Sequence, residues 1–291
     1  MRPAAGIILQ ARYASTRLRG KALEPMGGRT ILEQCLRRLV RADVARVVLA
    51  TTTGSEDDAL EAVALRLGVD VYRGDRDDVL GRFAAAAGRF GLDPVLRATA
   101  DNPAVDVQSP RRIISALRAS GADYLREQGL PLGAAVEGMT AEALHRAAHL
   151  ATDPYDREHV TTFILKRRDL FRVTEIDAPA PLRQPSLRLT VDTSADLAWV
   201  RELFARAGSD DPSLATLIAA SGLTAGEVEP QTRKPVQFDA SEFGSASPGP
   251  VFDCPRSARA VNVLTEEDST RDRTFEGVTT SRTPIYRTEV A

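Results

Sequence analysis

Lysine is scarce in this chain: of 38 basic residues only Lys21, Lys166 and Lys234 are lysine, and the other 35 are arginine. Lys21 follows Gly20 at the end of a stretch that also carries Arg12, Arg17, Arg19, Ser15 and Thr16. An ammonium is a compact charge and a guanidinium a planar fork. A lysine placed here therefore suggests a site that needs a point charge. Cations, hydroxyls and free backbone N–H groups gathered in one loop suit an anion such as a phosphate chain; the other reading is a solvated basic loop. Further along, Asp101 (ATADNP) and Asp192 (LTVDTSADL) offer carboxylates. Two carboxylates beside a phosphate loop are the donors a Mg²⁺–nucleotide site requires, although each aspartate alone also suits a turn or cap. His145 and His149 have the spacing of a helical zinc pair but lack the glutamate of a metalloprotease, and both read as helix-surface residues. G-x-S-x-G and Walker motifs are absent from the sequence.

These side chains need elements to position them. The apolar run Ile7-Ile8-Leu9 predicts a buried strand before the basic loop, and a helical pattern begins near Thr30 with Leu32, Leu36 and Leu39-Val40 on one face. Strands follow at 46–53, 69–72, 93–99 and 123–125, alternating with helices that start near Ser55, Asp77 and Pro110. That alternation predicts a mostly parallel sheet covered on both faces, with ligands at the carboxyl ends of the strands. The loop at 12–21, the Thr51–Thr53 tip and Asp101 all fall on that edge. The second half is less regular. It predicts a short strand at 133–137, helices at 141–151 and 155–168, strands at 171–176 and 187–191, and helices at 195–207 and 213–220. From 230 to 291 no period persists, and the turn-rich composition predicts a flexible tail.

QARYASTRLRGKAL resembles the signature loop QAR-x-x-S-T-R-L-P-G-K-x-L of the CMP-sugar synthetases, the cytidylyltransferases that activate Kdo and sialic acids, and in particular their spore-coat polysaccharide branch. Arg19 stands where that family has proline, and Ala100 where it has glycine. T-A-D-N-P and TVDTSADL resemble two further family motifs, DDVLGR a third and REHV a fourth. The resemblance implies a single Rossmann-like, GT-A-like α/β domain over 1–229. It implies CTP as substrate, with Arg12, Arg17 and Lys21 in catalysis and Gln10, Ala11, Arg12, Ser15, Arg17, Lys21, Thr51, Thr52, Asp78 and Arg82 around the nucleotide. It also implies Glu137, Arg157 and His159 toward the acceptor sugar, Mg²⁺ on Asp101 and Asp192, and a homodimer.

Composition sets outer bounds. With 291 residues, 43% hydrophobic and 27% charged, the chain has ample material for a core. A net charge of −2 gives no support to nucleic acid or anionic membrane as partners. Cys35 and Cys254 are isolated, which predicts a reduced, cytoplasmic protein without a disulfide framework. Two rival functions share these features: a GT-A-fold glycosyltransferase, which would normally show an Asp-x-Asp motif after a strand, and a non-catalytic binding protein acting through its tail.

Overall fold

The computed structural model describes residues 4–15 and 18–223; Arg17 and the expected tail at 230–291 lie outside the described residues. The first strand, β1 (Ala4–Gln10), is buried on both faces. Its side chains alternate, with Ile7 and Leu9 in one apolar cluster and Ile8 in another, as expected for a strand between two helical layers. After the basic loop comes a small antiparallel pair, β2 (Pro25–Met26) and β3 (Arg29–Thr30), which no periodicity in the sequence announces. Thr30 then caps α1 (Ile31–Val40), its hydroxyl accepting from the Glu33 N–H at 3.1 Å. Val40, expected on the apolar face of that helix, is exposed.

From there β4 (Arg46–Thr52), α2 (Asp58–Arg66), β5 (Asp70–Gly74), α3 (Val79–Phe90), β6 (Leu92–Thr99), α4 (Ser109–Ser120) and β7 (Tyr124–Gln128) alternate. They are followed by β8 (Glu137–Met139), α5 (Ala141–Leu150), α6 (Pro154–Glu158), α7 (Thr162–Lys166), β9 (Val173–Asp177), α8 (Ser194–Arg206) and α9 (Leu214–Ala220). The main sheet runs β5-β4-β1-β6-β8-β7-β9, parallel except at β8. β1 therefore lies between β4 and β6. The chain leaves β1 toward β4 and later returns to its other side, so the crevice at the carboxyl ends of β1 and β6 is the switch point where such sheets hold ligands.

Three expectations for the second half need correction. The short strand expected at 133–137 begins only at Glu137, as β8, because Gly133 with its φ of 95° turns the chain before it. The helix expected over 155–168 is broken into α6 and α7 by Val160, whose φ of 51° ends one helical segment before the next begins. The strand expected at 187–191 does not join the sheet. Leu187, Leu189 and Val191 are buried, but their segment pairs with an irregular loop: Leu132 N–H donates to Leu187 O at 2.9 Å, and Leu189 N–H to Leu132 O at 2.8 Å. Pro131 has no N–H, and Gly133 has a φ of 95°, so no ladder can propagate. Asp192 consequently follows an extended strap rather than a strand end.

Candidate active site

Order in the basic loop starts at its rear. The Tyr13 N–H donates to Asp57 Oδ1 at 2.7 Å, and the Gly20 N–H to Tyr13 O at 2.9 Å. Gly20 has a φ of 71°, and a Cβ there would stand 3.0 Å from the Tyr13 ring, so both backbone and space call for glycine. That turn delivers Lys21 to the carboxyl end of β6. Its ammonium donates to Asp101 Oδ2 at 2.9 Å, to Asp192 Oδ1 at 3.2 Å and to the Val191 carbonyl at 2.9 Å. The strap is fastened to the β6 loop by the Val191 N–H, which donates to Asp101 O at 2.8 Å. Thr99 holds the far oxygen of Asp101 at 2.6 Å, and Arg188 that of Asp192 at 2.8 Å. Arg188 also binds Asp196; burial pushes that carboxyl up, but the hydrogen bonds from Arg188, the backbone and Thr193 outweigh it and hold the group well below the usual carboxylate range.

Of these groups Lys21, Thr99 and Asp101 border a cavity of about 350 Å³ over the ends of β1 and β6. Asp192 is not among its lining residues and meets Lys21 from outside that lining. Of the nucleotide residues expected from sequence, Gln10, Ala11, Arg12, Ser15, Lys21 and Arg82 line it; so do Asp101 and His159. Arg12 donates to Glu158 Oε1 at 2.9 Å, which ties the loop to α6. Arg82 is 3% exposed, and its Nε has no hydrogen-bond partner. Burial lowers its pKa, and the neighbouring charge of Arg12 lowers it further.

Other expected residues are held away from the cavity. Thr51 and Thr52 are buried with both hydroxyls on Asp57 Oδ2, at 2.9 and 2.5 Å. Asp78 caps α3, accepting from the Gly81 N–H at 2.8 Å, and receives both Nε and Nη2 of Arg157. The same guanidinium also donates to the Ala148 and Ala151 carbonyls at 2.9 and 2.8 Å. Arg157 thus clamps α6 to the ends of α3 and α5, leaving no fork for a sugar carboxylate. Glu137 accepts from Arg97 Nη1 and from the Tyr124 hydroxyl, each at 2.5 Å.

Two residues that matter to the site were not singled out from sequence. Asp57 falls in the helix start expected near Ser55, yet it is 1% exposed and gathers donors from Tyr13, Thr51 and Thr52. Burial pushes its carboxyl up, but the bonds from Thr52, Tyr13 and Thr51 outweigh it and hold the group below its ordinary value. Arg97 lines the cavity from the middle of β6. Its signal was available: a charge inside the otherwise apolar run PVLRAT. Arg97 Nε also donates to Gln10 Oε1 at 3.2 Å. Tyr124, Glu137, Arg97 and Gln10 therefore form a side-chain rail across the adjacent strands β7, β8, β6 and β1. Arginine cannot accept, so the oxygen of Gln10 is committed to it and the amide N–H groups are left for a ligand.

Ala100, where a positive φ would be costly, has none, since Val160 is the non-glycine residue with positive φ among those described. His145 and His149 are exposed on α5. Among the described residues, no group of three or more His, Cys, Asp or Glu side chains is arranged to hold a metal, and no helix is long and apolar enough to cross a membrane.

The sequence profile of the cytidylyltransferases matches residues 6–205, a span that contains the basic loop, both aspartates and all of the sheet but the first two residues of β1. The chain belongs to the cytidylyltransferase family. It is 35% identical to the spore coat polysaccharide biosynthesis protein SpsF of Bacillus subtilis over 218 residues, covering 72% of this chain and 91% of that protein. It is 36% identical to the uncharacterized protein MJ1063 of Methanocaldococcus jannaschii over 197 residues, covering 67% and 81% respectively. A cytidylyltransferase structure from Leptospira borgpetersenii superposes with a TM-score of 0.71 at 29% identity, covering 76% of this chain and 94% of that one. The cytidylyltransferase is thus a CTP-dependent nucleotidyltransferase with a mostly parallel, nucleotidyltransferase-type sheet.

Proposed function

We propose that this cytidylyltransferase transfers CMP from CTP to an acidic sugar, releasing pyrophosphate, for polysaccharide or glycoconjugate synthesis. The carrying observation is the cavity at the β1–β6 switch point, where Lys21 lies between Asp101 and Asp192 and Arg12 and Arg82 form the wall. In this reading the triphosphate lies along the basic loop, against Arg12, Ser15, Arg17 and Lys21. The acceptor oxygen attacks the α-phosphorus in line, and pyrophosphate leaves with its charge spread over those cations. The unpaired Nε of Arg82 and the amide of Gln10 are donors, which suits the carbonyl oxygen and ring nitrogen of cytosine. Arg97 and His159 face the acceptor, which favours a carboxylate-bearing sugar. Glu137 then acts through Arg97, and Arg157 as a clamp, rather than by touching the sugar.

Two carboxylates and a main-chain carbonyl converging on one cation form the hard oxygen set that suits Mg²⁺, with phosphate oxygens completing its shell. Asp101 and Asp192 would hold the ion, which when bound polarises the phosphate and offsets its charge. We assign the reaction to residues 1–229, acting as a homodimer.

Dissociation constants for CTP, UTP, ATP and GTP with Mg²⁺, followed by a screen of acid sugars for pyrophosphate release, test the reading. A site that hydrogen-bonds one base edge should favour CTP on the order of a hundredfold. A flat profile or a purine preference removes the assignment to CTP.

A further inference from the structure

The ammonium of Lys21 is bonded as a cation in a cage. Three oxygens surround it at 2.9–3.2 Å, two from carboxylates and one from the Val191 carbonyl. The side chains are largely shielded: Lys21 is 13% exposed, Asp101 23% and Asp192 7%. The carbonyl is fixed in position because the N–H of the same residue donates to Asp101 O at 2.8 Å. Lysine and a divalent ion cannot share this space, since both need the same oxygens and like charges at such range repel. Emptying the cage would leave the near oxygens of Asp101 and Asp192 facing each other, with Arg188 still on the far oxygen of Asp192.

Building on the nucleotide site proposed above, we propose that Lys21 and the divalent cation are alternative occupants of one site whose third oxygen is the Val191 carbonyl. Loading of the cation then releases the ammonium toward the cavity, where the triphosphate receives it. Metal-free protein keeps its own lysine between the two carboxylates, and free metal binds weakly until a phosphate chain gives the lysine a new partner. Lys21 thereby couples cation entry to nucleotide entry. Arginine could not do this as well, because its fork is too broad to sit at a point between three oxygens.

The test uses Mn²⁺ alone, without nucleotide, titrated into the full chain and followed by the EPR signal of the free ion. Lys21→Met keeps the stem and removes the charge, so it should bind Mn²⁺ at least tenfold more tightly than wild type. Lys21→Met/Asp101→Asn should lose that gain. Equal affinity in wild type and Lys21→Met overturns the proposal, whereas failure of the nucleotide assignment would show as loss of CTP preference instead. A second measurement needs no variant, because the chain has three lysines. Acetylation by acetic anhydride is read for each by mass spectrometry, with Lys166 and Lys234 as references. At Mn²⁺ concentrations where EPR shows bound ion, Lys21 labelling should rise at least threefold. Unchanged labelling at the same occupancy overturns the exchange.

Discussion

Two charged nodes, one at each flank of the basic loop, use similar numbers of hydrogen bonds to opposite ends. At Lys21 a cation gathers three oxygens on the rim of the cavity. At Asp57 an anion gathers four donors in the interior: the N–H groups of Tyr13 and Thr52 and the hydroxyls of Thr51 and Thr52. The partners of Lys21 are oxygens that water, metal or a phosphate chain can replace or satisfy. Those of Asp57 include two backbone N–H groups with no substitute, and stranding each would cost about 1–3 kcal/mol. One node is built to exchange, the other to stay. The site is thus a fixed loop carrying one movable charge.

The largest effects should come from the exchanging node. Asp101→Asn and Asp192→Asn keep shape but lose charge, and each should reduce pyrophosphate release by at least about a hundredfold with the fold intact by circular dichroism. Lys21→Ala should cost at least about tenfold in CTP binding or turnover, near 1.4 kcal/mol. Wild-type turnover in all three variants would place the chemistry elsewhere in the cavity.

Next come effects on stability. Asp57→Ala should lower unfolding free energy by about 2–6 kcal/mol, measured in urea. The Tyr13 and Thr52 N–H groups lose their acceptor at about 1–3 kcal/mol each, while the two hydroxyls can rotate toward other acceptors. The pH dependence should follow from the depressed pKa of Asp57. Its stabilisation is fully present above the unfolded carboxyl value, about 3.9, and is lost as pH falls through the lower folded value. Asp57→Asn should therefore start less stable at neutral pH and lose less on acidification than wild type. Equal acid slopes in the two proteins would mean that Asp57 is not the anion organising this end of the loop.

The same contrast explains what the sequence could reveal. The alternating first half was legible because period-2 and period-3.6 patterns arise from burial on two faces, and β1, α1, β4, α3 and β6 all bury such faces. The strap at 187–191 showed the same alternation, yet burial alone does not reveal whether the partner backbone can form a ladder. Pro131 and Gly133, far away in sequence, decide that. Val160 hid the break between α6 and α7, since a β-branched residue at positive φ carries no local signal and is held there by its surroundings. In the site, a motif groups residues by their neighbourhood in the chain and not by what their side chains touch. Lys21 and Asp101 come together at the cavity, whereas Thr51, Thr52, Asp78 and Arg157 spend their polar groups on structure. The roles of Asp57 and Arg97 rest on partners distant in sequence: Tyr13 of the basic loop for the first, Gln10 and Glu137 of the neighbouring strands for the second.

The smallest effect concerns Arg19, which stands where the resembling family has proline. If that proline mattered by stiffening the loop, Arg19 should leave the loop slack and the enzyme impaired. Yet the loop is already tied at three points: Tyr13 to Asp57, Gly20 back to Tyr13, and Lys21 N–H to Leu18 O at 3.2 Å. Arg19 itself is largely exposed, 5.7 Å from the Tyr13 ring and 3.6 Å from Glu56, both weak surface contacts. A proline at this position would mainly reduce the freedom of the unfolded chain, a gain of about 0.4–1 kcal/mol where the backbone accepts it. Arg19→Pro should accordingly raise the melting temperature slightly and leave turnover with CTP within about threefold, half a decade or roughly 0.7 kcal/mol. A tenfold or greater rise in turnover would show that Asp57 does not hold the loop tightly enough, and that the fixed half of the comparison is itself mobile.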